Sequence, residues 1–329
     1  MLWLRIGNKL TQAPSPLPSP HLWPLTHTSV AHAIAHQMMT YGTCSPDPSI
    51  FNPTQLSTEQ WAESFVDFGA KEAVLVAKHG CGFMLWPSNA TMPDGSRYNY
   101  SVASTSWQAG KGDVVGAFVA SCLKRSIGVG YYYSLSSNTY ATQIHQPPLT
   151  PAQLEAVELQ QLRELWSTYG NDGGLTEVWF DGGFEGAIQP SIKKLLATLQ
   201  PTACAFNGCV VQGGPQSKAT CISPNSVRWV GTEAGVAPDP NWSTGFTNGG
   251  DPTSDMFCPS ECDTTLQNGD KWFYNKAVSV CVHLVFVYVR ARAWVRCECV
   301  PERVVIVPCC VLARNHASTC TPAVCRPLA

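Results

Sequence analysis

The nine residues Leu175-Thr-Glu-Val-Trp-Phe-Asp-Gly-Gly183 constrain this chain more than any others. The run Glu177-Val-Trp-Phe180 reads as a buried strand, and it ends on a carboxylate, Asp181, followed at once by two glycines. Burying an ionised carboxylate is costly unless it is paired or hydrogen-bonded. Two readings follow: an acid that merely opens a surface loop, or an acid held at a site. Glycine reaches backbone conformations closed to other residues and lets a ligand come close, which favours the second. A catalytic acid at the carboxyl end of a barrel strand has this form.

The flanking sequence alternates strand-like and helix-like segments from about residue 37 to 275. Ser57-Thr-Glu-Gln60 has the spacing of a capping box and predicts a helix through Trp61, Phe65 and Phe68, closed near Gly69. The apolar run Ala73–His79 predicts a buried parallel strand. Asp113 predicts a helix cap, Gly128–Ser134 a strand, and Thr150-Pro151 the start of a long helix ending near Gly170. Strand 177–181, helix 188–199 and strand 204–207 follow, with further strands expected within 227–233 and 256–261. Such alternation implies a parallel sheet with outer helices. His79, Ser134, Asp181, Asn207, Glu233 and Glu261 all fall at carboxyl ends of these strands. Many strand ends feeding one site is the barrel pattern, and neither G-x-G-x-x-G nor G-x-x-x-x-G-K-[ST] occurs. The expected fold is α/β: a (β/α)8-type TIM barrel, incomplete at its C-terminal end.

Three textures suggest the domain plan: a disordered Pro-rich segment over residues 1–35, a barrel over 36–275, and a Cys- and Val-rich tail over 276–329. The tail follows no clear helical or strand programme, the sort of end a mis-spliced gene model produces. A formal net charge of −2 without Lys/Arg clusters argues against nucleic acid as a partner. No run reaches the ~18 apolar residues of a membrane span. Fifteen cysteines and the sequons at Asn89, Asn99 and Asn241 fit an oxidising compartment, so a secreted, extracellular or vacuolar/lysosomal glycoprotein is expected, though no convincing signal peptide opens the chain.

Asp181, Glu233 and Glu261 are three carboxylates from three strand ends. Glycosidic cleavage needs two: one attacks or stabilises an oxocarbenium-like centre, and the other protonates the leaving oxygen. Trp86, Trp179, Trp229 and Trp242 lie near the same ends, where a ring can pack on the apolar face of a sugar or simply fill core. His79 and Cys81 are poorly spaced for chelation and no C-x-x-C accompanies the carboxylates, so no metal and no cofactor is expected.

Several ordered motifs carry a family resemblance over roughly residues 41–274: Asp47–Leu56, Val76-Ala-Lys-His-Gly-Cys-Gly-Phe83, Leu85-Trp-Pro-Ser88, Gly112–Val115, Glu177–Gly182 and Val227-Arg-Trp-Val-Gly-Thr-Glu-Ala-Gly235. Together they resemble the α-L-fucosidases of glycoside hydrolase family 29, in the branch that prefers α-1,3/1,4-linked fucose. The resemblance implies a retaining exo-glycosidase, with Asp181 as nucleophile, Glu233 as acid/base, and a fucosylated oligosaccharide or glycoprotein glycan as substrate. Glu261 resembles another pocket carboxylate and is the alternative acid/base or a sugar-binding carboxylate. His79 and Trp86 match sugar-contacting positions; Trp179 is candidate lining, as is Tyr133, although packing is the stronger reading for Tyr131 to Tyr133; His36 matches a sugar-binding histidine only after a shift. Relatives often carry two adjacent histidines where this chain has His79-Gly80. A catalytically inactive carbohydrate-binding protein on the same scaffold is the alternative reading.

Overall fold

The computed structural model describes residues 47–212, 214, 216–232, 236–247 and 249–262, and the backbone of 2–6, 298–300 and 303–305. Seven strands form one sheet in the order β1 (Leu2–Ile6), β2 (Ala70–Lys78), β3 (Gly128–Tyr133), β4 (Glu177–Trp179), β5 (Cys204–Phe206), β6 (Ser226–Trp229) and β7 (Ser260–Glu261). β2 to β7 are mutually parallel, while β1 pairs antiparallel with β2. Strand order follows chain order without the reversal of a doubly wound sheet. Among the described residues the sheet does not close, which makes it an incomplete (β/α) barrel. β1 falls within the segment expected to be disordered; the rest of that segment lies outside the described residues. In the tail, Glu298–Val300 (β8) pairs with Arg303–Val305 (β9).

Among the described residues four helices carry the chain between parallel strands or up to them: α1 (Thr58–Asp67), α2 (Val114–Leu123), α3 (Pro151–Thr168) and α4 (Gln189–Leu199). Their starts follow from side-chain caps. Ser57 accepts from the Gln60 amide, Asp113 from the Gly116 amide, and Thr150 and Gln153 cap each other's backbone ahead of Pro151. Gly69, at φ +74°, ends the α1 region where a left-handed residue is needed.

The sheet separates two apolar layers. On its outer face Leu75, Ala77, Val129, Tyr131, Val178 and Phe180 pack with Phe65, Phe118, Leu165, Trp166 and Ile192 of the helices. On its inner face lies a smaller cluster of Val74, Val76, Tyr132, Trp179, Phe206 and Val227. Side chains alternate across a strand, so the parity of each residue decides which layer it joins.

Candidate active site at the carboxyl ends of the strands

Parity in β4 places Val178 and Phe180 outward and Trp179 inward, so Asp181 continues the inner row. The chain then turns through Gly182 (φ +70°) and Gly183 (φ +80°). A Cβ on Gly183 would lie 2.2 Å from the Val210 carbonyl oxygen, so only glycine fits this turn. Asp181 remains exposed at the rim.

β2 reaches the same rim by breaking its own alternation. Continued alternation from Val74 and Val76 would send residue 79 outward. However, Val76 pairs with Tyr132 while Lys78 pairs with Tyr133, so β2 carries a bulge. Lys78 therefore lies outside, 4.2 Å over the Tyr133 ring, and His79 turns inside.

Four rings from adjacent positions then form a row. The His79 imidazole stacks on Tyr132 at 5.4 Å between centroids, Tyr132 on Trp179 at 5.3 Å, and Trp179 on Phe206 at 3.7 Å. Two carboxylates are tied to neighbouring members of this row. The Tyr132 hydroxyl donates to Asp181 Oδ2 at 3.0 Å, and the Trp179 indole N–H reaches Glu261 Oε1 at 3.4 Å. An acid from β4 and an acid from β7 thus meet one aromatic floor.

Burial above all, with neighbouring positive charge, lowers the His79 pKa to about 4. Its imidazole is neutral near pH 7 and can both donate and accept. Burial, and then the Asp181 carboxylate, push the Tyr132 phenol well above its ordinary value, so it stays a donor. The His79 shift has a sign for stability. Between about pH 6.5 and pH 4 the unfolded chain binds more protons at this position than the folded one, so His79 draws stability down as pH falls through that window. Unfolding free energies of wild type and His79→Gln, measured by denaturant at pH 7 and pH 4.5, should show the wild type losing more on acidification, by up to about 3 kcal/mol. Equal losses would contradict the half-buried, neutral imidazole.

His79, Trp179, Asp181 and Glu261 of the expected residues come together here. Two others do not. Trp86 is only 1% exposed and sits in the outer core, its indole N–H donating to Glu164 on α3. Tyr133 also faces outward, its hydroxyl donating to Gln161 of α3. Both are corrected from candidate lining to packing residues behind the sheet. His36 and Glu233 lie outside the described residues. Trp229 and Trp242 are partly exposed on the β6–β7 side. Tyr132 is the residue that sequence reasoning missed.

Comparison with known proteins adds independent findings. The family profile for α-L-fucosidase matches residues 28–281. "Alpha-L-fucosidase 1" of Arabidopsis thaliana is 31% identical over 268 residues, covering 75% of this chain and 47% of the plant protein. A Bacteroides thetaiotaomicron structure, provisionally described as an α-L-fucosidase, superposes with a TM-score of 0.60 at 30% identity, covering 71% of this chain and 49% of that one. A glycoside hydrolase 29 family member from a rumen bacterium gives a TM-score of 0.57 at 29% identity, with coverage of 75% and 44%. The chain spans about half the length of the curated plant relatives it matches.

Proposed function

The chain belongs to the α-L-fucosidase family, and from that premise we propose that it hydrolyses terminal α-linked L-fucose, of α-1,3/1,4 linkage, from glycans with retention of configuration. The observation that carries this reading is the pair of carboxylates, Asp181 and Glu261, tied to adjacent rings of one stack.

In the proposed reaction Asp181 attacks the anomeric carbon and a covalent fucosyl-enzyme forms as the aglycone leaves. Tyr132 anchors Oδ2, which orients the carboxylate and leaves its other oxygen to form the bond. A second carboxylic acid protonates the departing oxygen and then, as its conjugate base, deprotonates the water that releases fucose. Glu233 is the first assignment for that role, on the motif it occupies, and Glu261 the second. Retention calls for about 5–5.5 Å between the two carboxyl groups. His79 offers a neutral imidazole to a sugar hydroxyl, and Trp179 lines the floor.

The two glutamates are told apart by leaving-group dependence. Loss of the acid/base should slow a fucosylated oligosaccharide by about 10²–10⁴-fold and spare a nitrophenyl fucoside in the bond-breaking step, since that phenolate departs unprotonated. Glu233→Ala should behave this way, and Glu261→Ala should mainly raise KM. If Glu261→Ala instead shows the leaving-group split, the roles reverse; if neither does, the two-carboxylate reading fails.

A secreted or vacuolar location and glycoprotein status belong to the same proposal. They are supported by disulfide-bonded Cys81, Cys209 and Cys221 and by exposed sequon residues Asn89 and Asn99.

A further inference from the structure

The bulge that turns His79 inward leaves Lys78 fully buried on the opposite face. A buried ammonium is tolerated only with partners. Lys78 has three, all behind the sheet. Its Nζ donates to the Ser134 carbonyl oxygen at 2.5 Å, just past the end of β3. It rides over the Tyr133 ring, and it lies 3.7 Å from a carboxylate oxygen of Glu158, itself buried on α3. An unbulged β2 would reverse these placements. It would put the ammonium on the inner aromatic face beside Tyr132, away from all three partners, and the imidazole outside. The partners of residue 78 therefore discriminate between the two registers, and only one of them brings His79 to the mouth.

We propose that Lys78 is a positioning residue: anchored behind the sheet by Ser134, Tyr133 and Glu158, it fixes the β2 bulge that turns His79 into the mouth. Its kinetic consequence rests on the fucosidase reading; the placement of His79 does not. Neither Lys78 nor Glu158 reaches the inner face, so both act through the backbone of β2.

The test uses the full chain with Lys78 and Glu158 replaced together, because removing one charge alone strands the other in the core. In Lys78→Met/Glu158→Leu the apolar side chains keep the space filled while the contact to Ser134 is lost. The readout is the imidazole C–H resonances of His79 by NMR, displaced upfield in the wild type by the stacked Tyr132 ring. The proposal expects that displacement to disappear in the double variant while the rest of the folded spectrum persists. It also expects kcat/KM on an aryl fucoside to fall about tenfold, the size of one lost hydrogen bond. In a His79→Ala background the same double change should cost nothing further, whereas a merely structural role gives additive losses. If the apolar pair does not fold, Lys78→Gln/Glu158→Gln removes both charges and shortens the reach to Ser134, with the same expectations. A folded variant that keeps the upfield His79 signals, or additive kinetic losses, overturns the proposal. Lost His79 displacement in a variant of a wild type that cleaves no fucoside would uphold it and sink the fucosidase reading instead.

Discussion

Asp181→Ala is expected to lower kcat/KM for an aryl α-L-fucoside by roughly four orders of magnitude or more while leaving the protein folded. The side chain is exposed at the rim and makes one hydrogen bond, to Tyr132, so its removal disturbs little packing. What it takes away is the proposed nucleophile, and with it the covalent route of the proposed reaction. Because the alanine leaves space where the carboxylate stood, added azide should restore turnover and yield the β-fucosyl azide, the product of a single inverting displacement. Tyr132→Phe keeps the stacked ring and loses only the donor to Oδ2, so its cost should be nearer tenfold. An Asp181→Ala protein with wild-type turnover would remove the proposed nucleophile from the account. A loss accompanied by unfolding would assign the residue to structure.

Trp179→Ala should destabilise the fold by about 3–5 kcal/mol, the range for deleting a fully packed aromatic side chain. The residue is 3% exposed and lies at the centre of the inner layer, stacked on Tyr132 and on Phe206, with its indole N–H directed to Glu261. The inner layer is small, so little else can collapse into the gap. Against a typical total stability of about 5–15 kcal/mol this is a large fraction. Urea unfolding followed by circular dichroism measures it directly, and Trp179→Phe, which keeps a ring in the stack, should recover most of the loss. A change below about 1 kcal/mol for Trp179→Ala would mean that the inner aromatic row does not hold the sheet together.

The parts of this fold that were legible in the sequence are those written in local chemistry. The caps at Ser57, Asp113 and Thr150 stand where they were expected because each side-chain oxygen answers a helix amide that has no other partner. The paired glycines after Asp181 both adopt positive φ, as a turn directly after a strand-end acid requires. Parity was not legible in two places. In Tyr131-Tyr-Tyr133 the same residue type stands on both faces, so sequence alone gave no means of choosing Tyr132 over Tyr133 for the inner row. In β2 the bulge moves His79 from one face to the other, and it is specified by Lys78 finding its partners on β3 and on α3, residues distant in sequence. Trp86 was misplaced for a related reason: a tryptophan near a strand end suits a sugar platform and a core equally, and here the contact with Glu164 of α3 places it in the core. The shortness of β7, two residues where a longer strand was expected, reflects pairing with β6 alone among the described residues.

The most direct test of the central claim is mass spectrometry of the protein after incubation with 2-deoxy-2-fluoro-α-L-fucosyl fluoride. The fluorine at C2 slows both steps and the good leaving group lets the first proceed, so the fucosyl-enzyme accumulates. The account predicts a single added fluorofucosyl group that maps, after proteolysis, to the peptide carrying Asp181 and is absent from Asp181→Ala. An adduct on any other residue, or an active enzyme that forms none, would contradict it.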